Sequence, residues 1–158
     1  MSYNPYSLEG KTILVTGASS GIGKATAVEC SKLGAGVVIT GRDEKRLSDT
    51  FSLLQGDSHI QLVADLGNEE DLSLLVNRLP ALDGIAHIAG IVKTIPVTFL
   101  KKQDMQHLFD VNFFAPTLLT TGLLKQKKIR KPSSIVFISS IEGPLTVHPG
   151  HSVYSASK

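Results

Sequence analysis

The stretch Lys11–Gly23, KTILVTGASSGIG, joins a short apolar run to a glycine-rich turn. Its first six residues are mostly β-branched and apolar, which is typical of a strand buried on both faces of a parallel sheet. Gly17, Gly21 and Gly23 follow with the spacing G-x-x-x-G-x-G, and a helical pattern covers 21–33. A glycine turn between a strand and a helix offers free N–H groups and the positive end of the helix dipole to a phosphate. A βα turn that binds nothing is the alternative.

Strand and helix patterns alternate along the rest of the chain. Further apolar runs occur at 36–40, 59–64, 84–89 and 134–139, and helical patterns occur around 47–54, at 68–79 with Asn68 as the N-cap, and over about 101–126. Short connections between such elements favour right-handed βαβ crossovers. The sequence therefore predicts an α/β fold, a Rossmann-like doubly wound parallel β-sheet of about five strands, as a single domain over 1–158.

The composition excludes several function classes. The 158 residues are 42% hydrophobic and 19% charged with a net charge of +2, which is globular and too weakly basic to favour nucleic acid as a partner. The chain has no secretory signal pattern and no apolar stretch of transmembrane length, so we expect a cytoplasmic protein without a membrane partner. The basic run at 125–131 is interpreted as cations at a helix C-terminus.

No metal site is expected from the sequence. Cys30 is the single cysteine, which excludes an internal disulfide and a cysteine cluster. Four of the five histidines, His59, His107, His148 and His151, show no metal-ligand spacing with one another. His148 and His151 precede Tyr154 in a loop, where they either line a substrate pocket or are ordinary surface residues.

The end of the second predicted strand bears on the choice of dinucleotide. NAD-binding sites usually carry an acidic side chain at this position, which holds the ribose 2′-hydroxyl. Gly41 and Arg42 stand here instead, and an arginine pairs well with the 2′-phosphate of NADP. Asp43 and Glu44 are interpreted as caps of the next helix, and a merely solvated Arg42 remains the alternative. Asp65, which ends the third strand, is either a turn carboxylate or a cofactor contact.

The fifth strand is followed by the groups that suit proton transfer. Ser139 and Ser140 end it, and Tyr154 and Lys158 stand four residues apart, which on a helix places them on one face. An ammonium group one turn from a phenol favours the phenolate form. An ordinary surface pair is the alternative interpretation.

Together these motifs resemble the classical short-chain dehydrogenase/reductase family. The resemblance rests on TGASSGIG (16–23), Asp65, the Ala89–Gly90 pair, Asn112, Ser140 and YSASK (154–158), and it covers nearly the whole chain. It implies an NADP(H)-dependent oxidoreductase, with NAD less favoured, that acts on a small carbonyl or secondary-alcohol substrate. The implied cofactor-binding residues are Gly17, Ser19, Ser20, Gly21, Ile22, Gly23, Arg42, Asp65, Leu66, Ala89, Gly90, Tyr154 and Lys158.

The resemblance also implies roles for four residues. Tyr154 would exchange a proton with the substrate oxygen, and Ser140 would hydrogen-bond that oxygen. Lys158 would favour the phenolate form of the Tyr154 phenol and bind the nicotinamide ribose, while Asn112 would anchor a water. A homo-oligomer is expected for the full-length form.

Two departures from the family pattern qualify this expectation. The usual N-N-A-G reads HIAG at 87–90. His87 is therefore expected to be a buried histidine with hydrogen-bond partners, and the hydrogen bonds that the asparagines usually make between neighbouring strands must come from other groups. Family members continue past the lysine, so we expect 1–158 to be the N-terminal part of a longer reductase. The alternative function is a truncated, non-catalytic dinucleotide-binding module.

Overall fold

The computed structural model describes residues 4–158, so residues 1–3 of the predicted domain lie outside the described part of the chain. The strands are β1 (Thr12–Thr16), β2 (Gly36–Gly41), β3 (Ile60–Val63), β4 (Leu82–His87) and β5 (Ile129–Phe137). The α-helices are α1 (Gly21–Lys32), α2 (Glu44–Phe51), α3 (Glu69–Arg78), α4 (Lys102–Phe109), α5 (Ala115–Lys125) and α6 (Ser152–Ser157). A 3₁₀ turn covers Val97–Phe99, and a π-helical segment, Asp110–Phe114, joins α4 to α5.

The five strands form one parallel sheet in the order β3-β2-β1-β4-β5. The chain winds outward from β1 to β3, then returns to the other side of β1 as β4. Ligands bind in open α/β sheets where the strand order reverses, beyond the carboxyl ends of the strands. The predicted doubly wound fold is confirmed, and the crevice for a site lies between β1 and β4.

Each face of the sheet buries its own hydrophobic cluster. Leu14 and Val15 are adjacent in β1 and fully buried, yet they belong to different clusters because successive side chains of a strand point to opposite faces. Leu14 packs with residues of α3 and α5, and Val15 packs with residues of α1 and α2. Both faces are therefore covered by helices, which explains the uninterrupted apolar pattern of the strands.

Two helices begin at side-chain caps that the sequence indicated. Asn68 Oδ1 accepts from the N–H groups of Glu70 and Asp71 at 2.9 and 3.0 Å, as predicted for the start of α3. Asp43 Oδ1 accepts from the N–H of Arg46 at 3.0 Å at the start of α2. The Asp43 carboxylate therefore caps α2, as the sequence interpretation proposed.

Several predicted boundaries differ from the structure. Strand β5 begins at Ile129 rather than at 134, because Ile129 pairs with Leu82 before a register shift that ends at the Gly84–Ser134 pair. Pro132 lies in that shift, where a residue without an N–H donor cannot contribute a hydrogen bond to the sheet. Strand β4 correspondingly covers 82–87 rather than 84–89.

The basic run at 125–131 was assigned wrongly to one helix C-terminus. Only Lys125 lies in the last turn of α5, and the run continues through a turn into β5. Lys128 Nζ instead donates to the carbonyl oxygens of Val76 and Asn77 at 2.8 and 2.7 Å, near the end of α3. The cation thus satisfies the C-terminal carbonyls of a neighbouring helix.

In the described part of the chain, β5 is the outer strand of the sheet. Val136 and Phe137 on it are 51% and 55% exposed, so apolar side chains of this edge strand face outward. None of the helices described here has the length and apolar character needed to cross a bilayer.

Candidate active site

A cleft of about 430 Å³ opens beyond the carboxyl ends of β1, β2 and β4. Its walls include eleven of the thirteen predicted cofactor-binding residues: Gly17, Ser19, Ser20, Gly21, Ile22, Gly23, Arg42, Asp65, Leu66, Ala89 and Gly90. The other two, Tyr154 and Lys158, are not among its lining residues. Segments far apart in sequence therefore converge on one cleft at the point where the strand order reverses.

Two glycines of the first turn, Gly17 and Gly23, leave no room for side chains. A Cβ on Gly23 would lie 2.2 Å from the Gly17 oxygen, and a Cβ on Gly17 would lie 2.7 Å from Ala89 Cα. Gly17 also has a φ of 67°, which non-glycine residues rarely adopt. The turn thus packs directly against the end of β4 with its backbone exposed to the cleft.

Helix α1 begins with the donors that an anion needs. Its N-cap, Ser20, makes no side-chain capping hydrogen bond, and the first turn carries no acidic residue. The first N–H groups of a helix have no intrahelical acceptor, and the dipole makes this end electropositive. The structure therefore fits a pyrophosphate at the start of α1.

The end of β2 is basic on its cleft side. Arg42 and Arg46 both line the cleft and are exposed. Asp43, the nearest acid, is engaged at the α2 cap and also lies 3.5 Å from Arg46 Nε. A Cβ on Gly41 would lie 3.3 Å from Ser19 Oγ, so a side chain at the position usually taken by a ribose-binding acid would require the Ser19 side chain to shift slightly.

Asp65 fulfils the turn interpretation and still lines the cleft. Its Oδ1 accepts from the N–H of Gly67 at 3.0 Å, and its carbonyl accepts from the N–H of Asn68 at 3.0 Å. Its own N–H donates to Asp71 Oδ2 at 2.8 Å. These bonds hold the loop after β3 at the wall of the cleft, and the two interpretations of Asp65 are compatible.

Thr16 makes the hydrogen bonds between neighbouring strands that the asparagine-free HIAG sequence cannot make. Its side chain is buried, and Oγ1 accepts from the N–H groups of Ile88 and Ala89 at 3.0 and 3.1 Å. The hydroxyl of β1 thereby satisfies the backbone of the segment that follows β4. Thr16 was missed by sequence reasoning, although it stands directly before Gly17 in the motif that was singled out.

His87 is a core group, as expected. Thr120 Oγ1 donates to the Pro116 oxygen at 2.8 Å, so the 2.9 Å contact to His87 Nε2 requires the imidazole to donate. The ring also stacks on Phe137 with centroids 4.8 Å apart. Burial lowers the pKa of His87 to about 4, which keeps the imidazole neutral at pH 7.

Asn112 joins three parts of the candidate site. Its Oδ1 accepts from the N–H of Ile91 at 2.8 Å, and its Nδ2 donates to the Ile91 oxygen and to Ser157 Oγ, both at 2.9 Å. It lies in the π-helical segment between α4 and α5, and such segments often occur at functional sites. Lys158 Nζ lies nearby, 3.7 Å from the point where a Cβ on Gly90 would stand.

The C-terminal residues are arranged around α6. Tyr154 lies in α6, and Lys158 is its C-cap. The Ser157 hydroxyl donates to the backbone carbonyl of Tyr154 at 2.8 Å, and Ser139 Oγ donates to the backbone carbonyl of Lys158 at 3.0 Å. Burial lowers the pKa of Lys158. A cavity of about 180 Å³ is lined by Asn112, Ser139 and Lys158 among others, but not by Ser140 or Tyr154.

Ser140 has a free proton to offer. Its Oγ accepts from the N–H of Glu142 at 3.1 Å, which occupies an acceptor site and leaves the hydroxyl hydrogen available. Tyr154 is half-buried, and its ring lies edge-on to His151 with centroids 6.1 Å apart. A hydroxyl donor, a phenol and an ammonium group on neighbouring segments form a set suited to proton exchange with a carbonyl or alcohol.

Comparison with known proteins places this arrangement in a family. Residues 11–158 match the family model for short chain dehydrogenase. The 3-oxoacyl-[acyl-carrier-protein] reductase FabG of Rickettsia prowazekii is 37% identical over 151 residues, covering 96% of this chain and 62% of the relative. The oxidoreductase YvaG of Bacillus subtilis is 33% identical, covering 96% of this chain and 58% of the relative.

Solved structures agree with this assignment. A chain assigned as a short-chain dehydrogenase from Escherichia coli, crystallised with NADPH, superposes with a TM-score of 0.84 at 32% identity over 96% of this chain and 67% of that one. The protein therefore belongs to the short-chain dehydrogenase family. It spans about 62% of the length of the first curated relatives that it matches.

Proposed function

We propose that this member of the short-chain dehydrogenase family is an NADP(H)-dependent oxidoreductase of a carbonyl or secondary-alcohol substrate. The observation that carries the cofactor choice is the end of β2, where Arg42 and Arg46 line the cleft and Asp43 is engaged in the α2 cap. A 2′-phosphate would find the Arg42 guanidinium there, while Asp43, which also lines the cleft, is held by the α2 cap and by Arg46. The relative crystallised with NADPH is consistent with this choice.

The catalytic roles rest on the residues around α6. Hydride exchange is the chemistry that a nicotinamide supplies when bound. Tyr154 exchanges a proton with the substrate oxygen, and Ser140 donates a hydrogen bond to that oxygen where negative charge develops. Lys158 holds its ammonium near Gly90, at the wall of the cleft, where it supports the phenolate of Tyr154 and binds the ribose.

We propose a 3-oxoacyl thioester as the first substrate class to test. Several relatives at 34–37% identity are named 3-oxoacyl-[acyl-carrier-protein] reductases. In the loop that precedes α6 the chain exposes apolar side chains at Ile141, Leu145 and Val147, which suit an acyl group. The homo-oligomeric state and the cytoplasmic location expected from the sequence stay predictions.

Cofactor choice is tested by fluorescence titration with NADPH and NADH. The variant Arg42→Gln removes one charged contact and is expected to weaken NADPH binding by roughly 10- to 100-fold, since such a contact contributes about 1.5–3 kcal/mol. NADH binding should change by less than about threefold, because NADH carries no 2′-phosphate. Arg78→Gln is the matched control, since it neutralises an exposed arginine outside the cleft. Equal weakening of both nucleotides by Arg42→Gln, or tighter binding of NADH by the unmodified protein, would contradict the proposal.

Turnover separates the reductase from the non-catalytic module. NADPH oxidation at 340 nm is followed with 3-oxoacyl thioesters and small ketones, with Tyr154→Phe as the variant. If the protein is a reductase, the turnover rate should fall by at least about 100-fold in Tyr154→Phe while the affinity for NADPH stays unchanged. The substitution removes the proton-transferring hydroxyl and leaves the cofactor contacts in place. Tight NADPH binding without turnover on any substrate would favour the dinucleotide-binding module instead.

A further inference from the structure

The loop between β5 and α6 gathers three metal-binding groups that are separated in sequence. Glu142 lies between two imidazoles, with Oε2 2.8 Å from His151 Nδ1 and Oε1 3.4 Å from His148 Nδ1. One donor atom from each residue lies within 4.8 Å of the other two. The two imidazole rings are 5.7 Å apart between centroids and tilted by 43°. Two nitrogens and one carboxylate therefore face a common point.

The loop is held in this shape by other contacts. Ser140 Oγ accepts from the Glu142 N–H at 3.1 Å, and the N–H of Gly143 donates to the Thr146 oxygen at 2.9 Å. On the far side, the N–H of Ile95 donates to the Gly150 oxygen at 2.8 Å. The side chains of Glu142 and His151 are only 17% and 20% exposed. The donors belong to a built cluster rather than to freely moving surface residues.

The second ring nitrogen of His151 is fixed as well. Its Nε2 lies 2.7 Å from Thr94 Oγ1, on the loop that follows β4. A histidine that binds a metal through one nitrogen usually has its other nitrogen held by a hydrogen-bond partner, which sets the tautomer and the ring plane. In the structure Nδ1–H donates to Glu142 Oε2 at 2.8 Å, and the neutral ring accepts from the Thr94 hydroxyl at Nε2. A metal ion that replaces the Nδ1 proton would bind the Nδ1 lone pair, with Nε2–H then donating to Thr94 Oγ1.

We propose that Glu142, His148 and His151 bind a divalent metal ion of the zinc class. Two histidines and a carboxylate are the protein ligands of many zinc sites that keep a fourth position open. Ligand atoms about 2.0–2.2 Å from one tetrahedral ion lie about 3.3–3.6 Å apart. The 3.4 Å pair of Glu142 and His148 already meets this spacing, whereas the 2.8 Å pair of Glu142 and His151 must widen when an ion replaces the proton between them.

The site lies beside the candidate active site but outside the cofactor cleft. His151 precedes Tyr154 by one helical turn, and their rings are 6.1 Å apart between centroids. None of the three proposed ligands lines the dinucleotide cleft. The metal thus fixes the loop next to Tyr154, and its binding is independent of the proposed NADPH site.

Cobalt absorption and zinc competition test the site on the 158-residue chain with no affinity tag. Co²⁺ is expected to give d–d absorption bands between about 500 and 650 nm that one equivalent of Zn²⁺ abolishes, as for a tetrahedral site. Glu142→Gln and His148→Gln should each weaken Zn²⁺ binding at least about tenfold, and His107→Gln, an exposed histidine of α4, should leave it unchanged.

The other outcomes overturn the proposal. Absence of the bands in the unmodified protein would leave Glu142 as a hydrogen-bond partner of two imidazoles and no more. Equal Zn²⁺ affinity in His148→Gln and His107→Gln would mean adventitious surface binding. Far-UV circular dichroism of each variant shows that a loss of binding is not a loss of folding. Because no readout uses NADPH, failure here is distinguishable from failure of the proposed function.

Discussion

Asn112 Nδ2 donates a hydrogen bond to Ser157 Oγ at 2.9 Å across 45 residues of sequence, in a buried position. The same amide holds both backbone groups of Ile91. One side chain therefore connects the π-helical segment, the loop after β4 and the short helix α6 that carries Tyr154. Six residues are too few for an isolated helix, so tertiary contacts hold α6, and this hydrogen bond is one of them, beside the Ser139–Lys158 hydrogen bond and the burial of Val153.

Replacing Asn112 by Leu should destabilise the protein by about 1–3 kcal/mol, because the partly buried N–H and carbonyl of Ile91 and the hydroxyl of Ser157 lose their partner while the volume is kept. Urea unfolding followed by circular dichroism measures the free energy of unfolding. The control is Gln126→Leu, which removes an exposed 2.7 Å contact to Asn77 Oδ1 and should cost less than about 0.5 kcal/mol. Equal losses in the two variants would show that Asn112 does not anchor the site.

Two alanine substitutions in the glycine turn should differ in severity. Gly23→Ala would bring a Cβ to 2.2 Å from the Gly17 oxygen, so the backbone of the turn must shift, and we expect a loss of more than about 3 kcal/mol. Gly21 has a φ of 53° but open space around its Cβ position, so Gly21→Ala should cost only about 1–2 kcal/mol of backbone strain. Thermal unfolding of both variants measures the difference. A Gly21→Ala variant as unstable as Gly23→Ala would argue against the steric explanation.

Lys127→Gly should stabilise the protein. Lys127 has a φ of 55°, the one positive φ of a non-glycine residue among residues 4–158, and glycine adopts that conformation without steric cost. We expect a gain of about 0.5–1 kcal/mol in the free energy of unfolding. Lys45→Gly in α2 is the matched control and should lose up to about 1 kcal/mol, because its backbone is helical. The prediction fails if both substitutions change stability in the same direction.

His87 should make stability depend on pH between about 4 and 6.5. Burial lowers its pKa from 6.5 to about 4 in the folded protein. Below pH 6.5 the unfolded chain binds a proton that the folded chain excludes, so stability is complete above this pH and falls as the pH drops towards 4. The loss from this group should reach about 3 kcal/mol.

The variant His87→Gln cannot titrate and isolates this contribution. Its free energy of unfolding should fall less steeply between pH 6.5 and 4 than that of the unmodified protein, even if it is lower at pH 7. Urea unfolding at five pH values in this range gives the two slopes. Identical slopes would show that another group causes the pH dependence.

Sequence reasoning recovered the framework of the fold because the relevant signals are local. Buried parallel strands read as short apolar runs, and the cap of α3 at Asn68 and the glycine turn after β1 are set by neighbouring residues. The cofactor cleft followed from the same signals, since parallel strands bring their carboxyl ends to one edge. The boundaries of β5 were wrong because its first residues pair with Leu82 across a register shift that no local pattern shows.

The chain by itself therefore determined the doubly wound sheet, the dinucleotide cleft and the identity of the groups around Tyr154. Only the tertiary structure decided how those groups are supported. Thr16 accepts hydrogen bonds from the segment after β4, where the family pattern has asparagines. Lys128 donates to the last carbonyls of α3, and Glu142 contacts two histidines. Each of these contacts joins side chains through space with no periodic spacing in sequence, because a hydrogen bond or an ion pair depends on where the backbones have already been placed.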